Sequence, residues 1–171
     1  LEFRRVLFRS TAVAVSIAAA GTGVGIACPI ALQEGTVVTN ISYRTTNTAA
    51  GTPTAQYVAL YDNAATPNLL VTSGNLGSAA RAANTTFTIP MSRPYTVPTS
   101  NIYYVSISFT ATTVPTLLGV SSGYTTNTGH AAGVLGTPAL GWTHGTALAG
   151  VAPATIAAPT VITRAPWVAI Q

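Results

Sequence analysis

Apolar and polar positions alternate with period two along most of the chain, the pattern of a half-buried β-strand rather than a helix. Val13, Val15 and Ile17 alternate with small or polar residues. After a glycine-rich break, Val24, Ile26, Cys28, Ile30 and Leu32 do so again. Val37, Thr39, Ile41 and Tyr43 then fall on one face, with Val38, Asn40, Ser42 and Arg44 on the other. Tyr57 to Tyr61 is apolar on both faces, which predicts a central strand. The turn that follows, Asp62 to Asn68 with Pro67, leads into a short strand, Leu69 to Thr72, ended by Ser73 and Gly74. Phe87, Ile89 and Met91 alternate with Thr86, Thr88 and Pro90. A proline cannot donate to a sheet ladder, so this run is predicted to lie at an edge.

The clearest alternation is Ile102 to Thr110: Tyr103, Val105, Ile107 and Phe109 point to the core, and Tyr104, Ser106, Ser108 and Thr110 are predicted to face outward. Pro98 to Asn101 supplies the turn before it, and Thr113 to Thr116, with Pro115, bends the chain into Leu117 and Leu118. Thr160 to Thr163 and Trp167 to Ile170, broken by Pro166, are the last predicted strands. Ala79 to Ala83 has room for one helical turn, and helix-length periodicity is absent elsewhere. Seven to nine short strands, spaced mostly roughly 10 to 17 residues apart, predict an all-β fold. The expected architecture is an antiparallel β-sandwich, jelly-roll-like or Ig-like, with a barrel as the alternative.

Residues 121–159 break this regularity, being rich in Gly, Ala, Thr and Pro without strong alternation. A connection of that length in a compact domain predicts a functional surface loop or short elements hidden from pattern reading. Tyr124, His130, Trp142 and His144 all lie in it, so both histidines and one of the two tryptophans share the least regular part. Aromatic and imidazole groups stack on and hydrogen-bond to sugars or protein partners, which makes these four the candidate binding residues. The competing expectation is that Trp142 pins the loop to the sandwich and the histidines are solvated.

The first ten residues, Leu1 to Ser10, resemble a translated short-read sequencing adapter, and such scars are set aside before fold reasoning. The expectation is that residues 1–10 are an artefact that packs poorly. Residues 11–171 then form a single domain, an N-terminally truncated fragment of a longer parent. Setting the decapeptide aside removes Arg4, Arg5, Arg9 and Glu2, and with them the apparent cationic start of a lipoprotein signal ending at Cys28. Thr11 to Leu32 carries no charge, yet its glycines, Pro29 and period-two pattern predict strands instead of a membrane helix. What remains is Arg44, Arg81, Arg93 and Arg164 against Glu34 and Asp62. Four scattered arginines make no phosphate-binding stripe, so neither nucleic acid binding nor membrane insertion is expected.

Catalytic patterns are sparse. Glu34 and Asp62, the two carboxylates left, sit beside predicted turns, where an acid commonly bonds to backbone. A hydrolytic triad needs a nucleophile, a base and an orienting acid in contact, and the residues available for one are the serines, His130 or His144, and Asp62. His130 and His144 have no nearby carboxylate or thiol to complete a metal site. One cysteine excludes an internal disulfide framework, and its place on an alternating apolar face predicts a buried structural thiol. Gly21, Gly23 and Gly25 fit a turn better than a dinucleotide loop, because a strand follows. The expectation is a protein without enzymatic activity, metal or cofactor.

Four segments taken in order, Gly35–Tyr43, Thr48–Asp62, Tyr95–Val105 and Ala111–Gly119, resemble a β-sandwich domain of virion proteins from phages that infect actinobacteria, commonly minor tail or fibre proteins. The resemblance spans roughly Gly23 to Gln171 and brings no catalytic or metal residues to transfer. It implies a phage virion structural protein, a minor tail or tail-fibre domain displaying loops for host-surface binding. Its partners would be other virion proteins and a host-surface glycan or protein, and it would form a symmetric homo-oligomer such as a trimer. A capsid-decoration or head-fibre protein, and a secreted bacterial adhesin or carbohydrate-binding module, are the alternatives.

Overall fold

The computed structural model describes residues 14–121 and 140–171, and within them the chain is all-β. The strands are β1 (Ala14–Ala18), β2 (Val24–Leu32), β3 (Val37–Arg44), β4 (Gly51–Tyr61), β5 (Leu69–Thr72) and β6 (Thr86–Thr96). They continue as β7 (Asn101–Thr113), β8 (Thr116–Ser121), β9 (Gly141–His144), β10 (Thr160–Ile162), β11 (Arg164–Pro166) and β12 (Val168–Ile170). All pairings are antiparallel, in a six-stranded sheet ordered β10-β9-β2-β7-β4-β5 and two three-stranded sheets ordered β1-β8-β11 and β12-β3-β6.

Ile26 and Cys28 of β2, Val58 and Leu60 of β4, and Val105 and Ile107 of β7 form one face of the large sheet. That face packs on Ile17, Ile41, Tyr43, Ile89, Leu117 and Val168 from the two smaller sheets. This is the sandwich core, and the Tyr43 and Phe109 rings meet edge-on across it, 5.9 Å between centroids.

The predicted strands fall where their patterns place them, with β4 inside the large sheet and proline-bearing β6 at a sheet edge. Two predictions are corrected here, one in β3 and one between β5 and β6. The β3 alternation shifts by one, because a bulge between Val38 and Asn40 resets the register. The amides of Thr39 and Asn40 both donate to the carbonyl of Gln171, so Val38 faces the core and Val37 faces solvent. Residues 79–83 form no helical turn; the side-chain amide of Gln56 ties the Gly77 and Ala79 carbonyls down instead.

Among the described residues there are twelve strands, more than predicted, largely because the C-terminal run is cut into three and β9 lies where irregular chain was expected. Residues 160–170 join the three sheets in succession. β10 extends the large sheet beyond β9, and β11 pairs with β8. The chain turns at Trp167, whose amide donates to Leu118, and β12 runs out along β3. Just past the end of β3, Thr45 bridges to Leu117 of β8, and the C-terminal chain fills the fork between β3 and β8.

Candidate functional site

The second face of the large sheet is covered as well, and it holds a concentration of buried polar groups, Ser106, Ser108 and His144. Tyr104, Ser106 and Ser108, predicted to face outward, are buried there. They point away from the sandwich core as their alternation requires, but residues 145–158 fold back over them. This segment is held by backbone bonds from Leu148 to Gly23, from Leu69 to Ala154 and from Ile156 to Pro67, and by the Tyr61 hydroxyl donating to Pro153. Ala152 and Ile156 of this segment join Ala27, Tyr57, Ala59, Tyr61, Tyr104 and Trp142 beneath it in a second apolar cluster. Each buried aromatic ring removes roughly 150–250 Å² from water, so this face contributes substantially to stability.

β9 brings two of the candidate residues into this layer. Gly141 lets it seat, because a side chain there would collide with the carbonyls of Arg164 and Ala27. Period two then sends Trp142 and His144 to the same face, where both are buried. Trp142 stands edge-on to Tyr104 at 5.4 Å between centroids. His144 lies across the sheet toward β7, its Nε2 2.7 Å from Ser106 Oγ. Trp142 therefore anchors the segment, and His144 is buried where a solvated side chain was the alternative. Tyr124 and His130 lie outside the described residues.

Strand register explains why His144 can lie flat. Tyr57, Ser108, Gly25 and His144 form one row across β4, β7, β2 and β9. Ala59, Ser106, Ala27 and Trp142 form the next row. Small residues in the middle of both rows leave a trough, closed by Tyr57 and His144 at the ends of the first row and by Trp142 at one end of the second. The Tyr61 ring meets the imidazole edge-on at 6.1 Å.

The electrostatics follow from burial. His144 is pushed down to about 4, since the interior penalises an imidazolium. Burial pushes Tyr57 up to about 12, with the Ser106 and Tyr61 hydroxyls beside it opposing the shift. Tyr104 also rises to about 12 through burial, and Tyr61 is raised further, by burial first and then by Tyr57. All of these groups are neutral at physiological pH. Among the described residues, His144 Nδ1 and Ser108 Oγ meet no partner at hydrogen-bonding geometry.

A Ser–His contact is the first half of a hydrolytic triad, which also needs an acid on the second imidazole nitrogen and an accessible nucleophile. Here no carboxylate reaches Nδ1 among the described residues, and Ser106 is fully buried. Asp62 is committed elsewhere: its carboxylate accepts from the amides of Ala64 and Asn68 and from the Asn68 side chain, closing the turn after β4. Those bonds hold it below its ordinary value despite the opposing effect of burial. No group of three or more metal-ligating side chains occurs among the described residues. No helix there is long and apolar enough to cross a membrane. On the outer side of His144 lies a depression of about 390 Å³, bordered by Val24, Thr143, Gly145, Ala157 and Thr160.

Sequence reasoning missed the buried role of Tyr57, Tyr61, Tyr104, Ser106 and Ser108. The available signal was β4 itself, since a strand apolar on both faces needs cover on both faces, and its sheet neighbour must share that cover. Compared with protein-family profiles and with characterised proteins, the chain finds no match.

Proposed function

We propose that this chain is a non-catalytic module of a phage virion, a minor tail or tail-fibre domain whose framework displays loops toward the host surface. The observation that carries this reading is where the four resembling segments fall. Gly35–Tyr43 supplies most of β3, Thr48–Asp62 contains β4, Tyr95–Val105 enters β7, and Ala111–Gly119 joins β7 to β8. The likeness thus lies in the strands that build both layers of the sandwich. A buried Ser–His pair that no acid faces among the described residues also favours a binding or structural role over hydrolysis.

On this reading the partners are other virion proteins and a glycan or protein of the host envelope, and the working form is a homo-oligomer such as a trimer. Two measurements test it. Genes flanking the coding sequence should include tape-measure and tail components; a cellular operon encoding secretion machinery would overturn the proposal. Purified full chain should adsorb to cells of an actinobacterial host, with immunogold label on tails of intact virions. Label on capsids would favour the head-fibre alternative.

A further inference from the structure

We infer that the Ser106–His144 pair is an acid-sensitive latch on residues 145–158: protonation of His144 releases that segment and uncovers the aromatic face of the six-stranded sheet. The first support is position. His144 ends β9, and the chain continues at once through Gly145, at φ +67°, into the covering segment. The second is how tightly the ring is seated. Its Nε2 is bonded to Ser106 and lies where a Cβ on Gly25 would come within 2.5 Å.

The third support is proton bookkeeping. A neutral imidazole has one N–H and one lone pair, so the Ser106 bond satisfies one nitrogen in either tautomer. An imidazolium carries N–H on both, and Nδ1 has no acceptor among the described residues. Nor do the described residues place a charge there to offset the new one. From β4 the titratable groups nearby are Tyr61, against the ring, and Tyr57, beside Ser106; both stay neutral. β7 offers only serine hydroxyls, β2 offers Gly25 and Val24, and the covering segment and β10 offer Gly145, Thr146 and Thr160. Burial alone accounts for the downward shift of His144. A protonated ring therefore gains by moving to solvent, and the depression beside it opens the way.

The direction of the pH effect follows. Released chain binds the proton more readily, near the ordinary 6.5, than closed chain, near 4. The latch is fully closed above about 6.5 and weakens as pH falls toward 4. Linkage between these values gives a roughly 30-fold rise in the opening constant at pH 5.

Amide exchange on the full chain, corrected for intrinsic rates, tests this. Protection at Leu148 and Ile156 should fall roughly 30-fold from pH 7.5 to pH 5, while Leu60 and Ile107 in β4 and β7 stay protected. His144→Gln, which cannot titrate, should make Leu148 protection independent of pH. The proposal is overturned if wild-type protection at Leu148 is unchanged at pH 4, if the central strands lose protection in parallel, or if the Gln variant shows the same pH dependence. Should that variant not fold, an NMR titration of His144 in the wild type decides: an imidazole titrating near 6.5 with Leu148 still protected overturns the latch.

Discussion

Gly25 and His144 share one space: the missing Cβ of Gly25 is what allows the imidazole to cross β2 and reach Ser106 on β7. Gly25 has no positive φ, so its role is steric clearance. Gly25→Ala is expected to displace the ring and break its bond to Ser106. Overpacking a filled interior costs roughly 1–3 kcal/mol, which urea denaturation should show as a lower midpoint with an unchanged slope.

The two tryptophans should behave oppositely. Trp142 is fully buried beneath the covering segment, whereas Trp167 is 43% exposed at the turn between β11 and β12. Trp142→Ala should cost about 3–5 kcal/mol, and Trp167→Ala well under half of that. Loss of cell adsorption in the Trp142 variant would therefore report unfolding. Loss in a stable Trp167 variant would place that ring at a binding surface. Thermal melts run beside the adsorption assay separate the two.

Period two made most strands legible because it survives wherever one face is buried and the other wet. It misled at Val37, where a bulge resets the face without any change in residue type. It also misled at Tyr104, Ser106 and Ser108, where "outward" from one core meant inward to another. The serines read as solvent-facing because nothing local distinguishes a wet hydroxyl from one buried against a distant imidazole. β9 escaped notice since Gly-Trp-Thr-His is four residues long and becomes a strand only through its neighbours β2 and β10. The contact between Ser106 and His144 spans 38 residues and depends on register across three strands, so no motif announces it.

Arg81 is a buried cation that pairs with no carboxylate among the described residues. Its guanidinium sits 5.0 Å from the centre of the Phe87 ring, and Nη1 donates to the Ala80 carbonyl. Nε meets no acceptor among the described residues. Tyr43, beside it, is pushed up to about 12 by burial, with the guanidinium charge opposing the shift. Arg81→Met keeps the packed stem and removes the desolvated charge, so its stability should lie within about 1 kcal/mol of wild type. Arg81→Ala removes the stem as well and should cost about 2–4 kcal/mol by chemical denaturation. Equal losses in both variants would assign the stabilisation to the charge instead.

Cys28 faces the sandwich core from β2, 3% exposed, and burial pushes its thiol up to about 12. The thiolate is the reactive form, so the native protein should react with Ellman's reagent at well under about 1% of the rate in denaturant. Rapid reaction under native conditions would mean that β2 opens locally. Cys28→Ala should leave the fold intact at a cost of about 1–2 kcal/mol, with a small cavity left behind.

The C-terminal run should matter out of proportion to its length. Residues 160–170 pair with β9, β8 and β3 in turn, contributing to every sheet. Val168 and Ala165 fill the core, and the Gln171 carbonyl accepts the two amides that form the β3 bulge. Deleting residues 164–171 would leave edges of β8 and β3 unpaired and expose Leu117, which together should cost more than a marginal domain's total stability of about 5–15 kcal/mol can absorb without a large fall in melting temperature. Deleting Gln171 alone removes the bulge acceptor, which also takes the Thr39 hydroxyl, and the amide that donates to Asn40, and should cost about 1–2 kcal/mol. Circular dichroism melts of the two truncations should differ sharply. A cooperative, near-native transition in the longer deletion would show that the fork between β3 and β8 closes without the C-terminal strands.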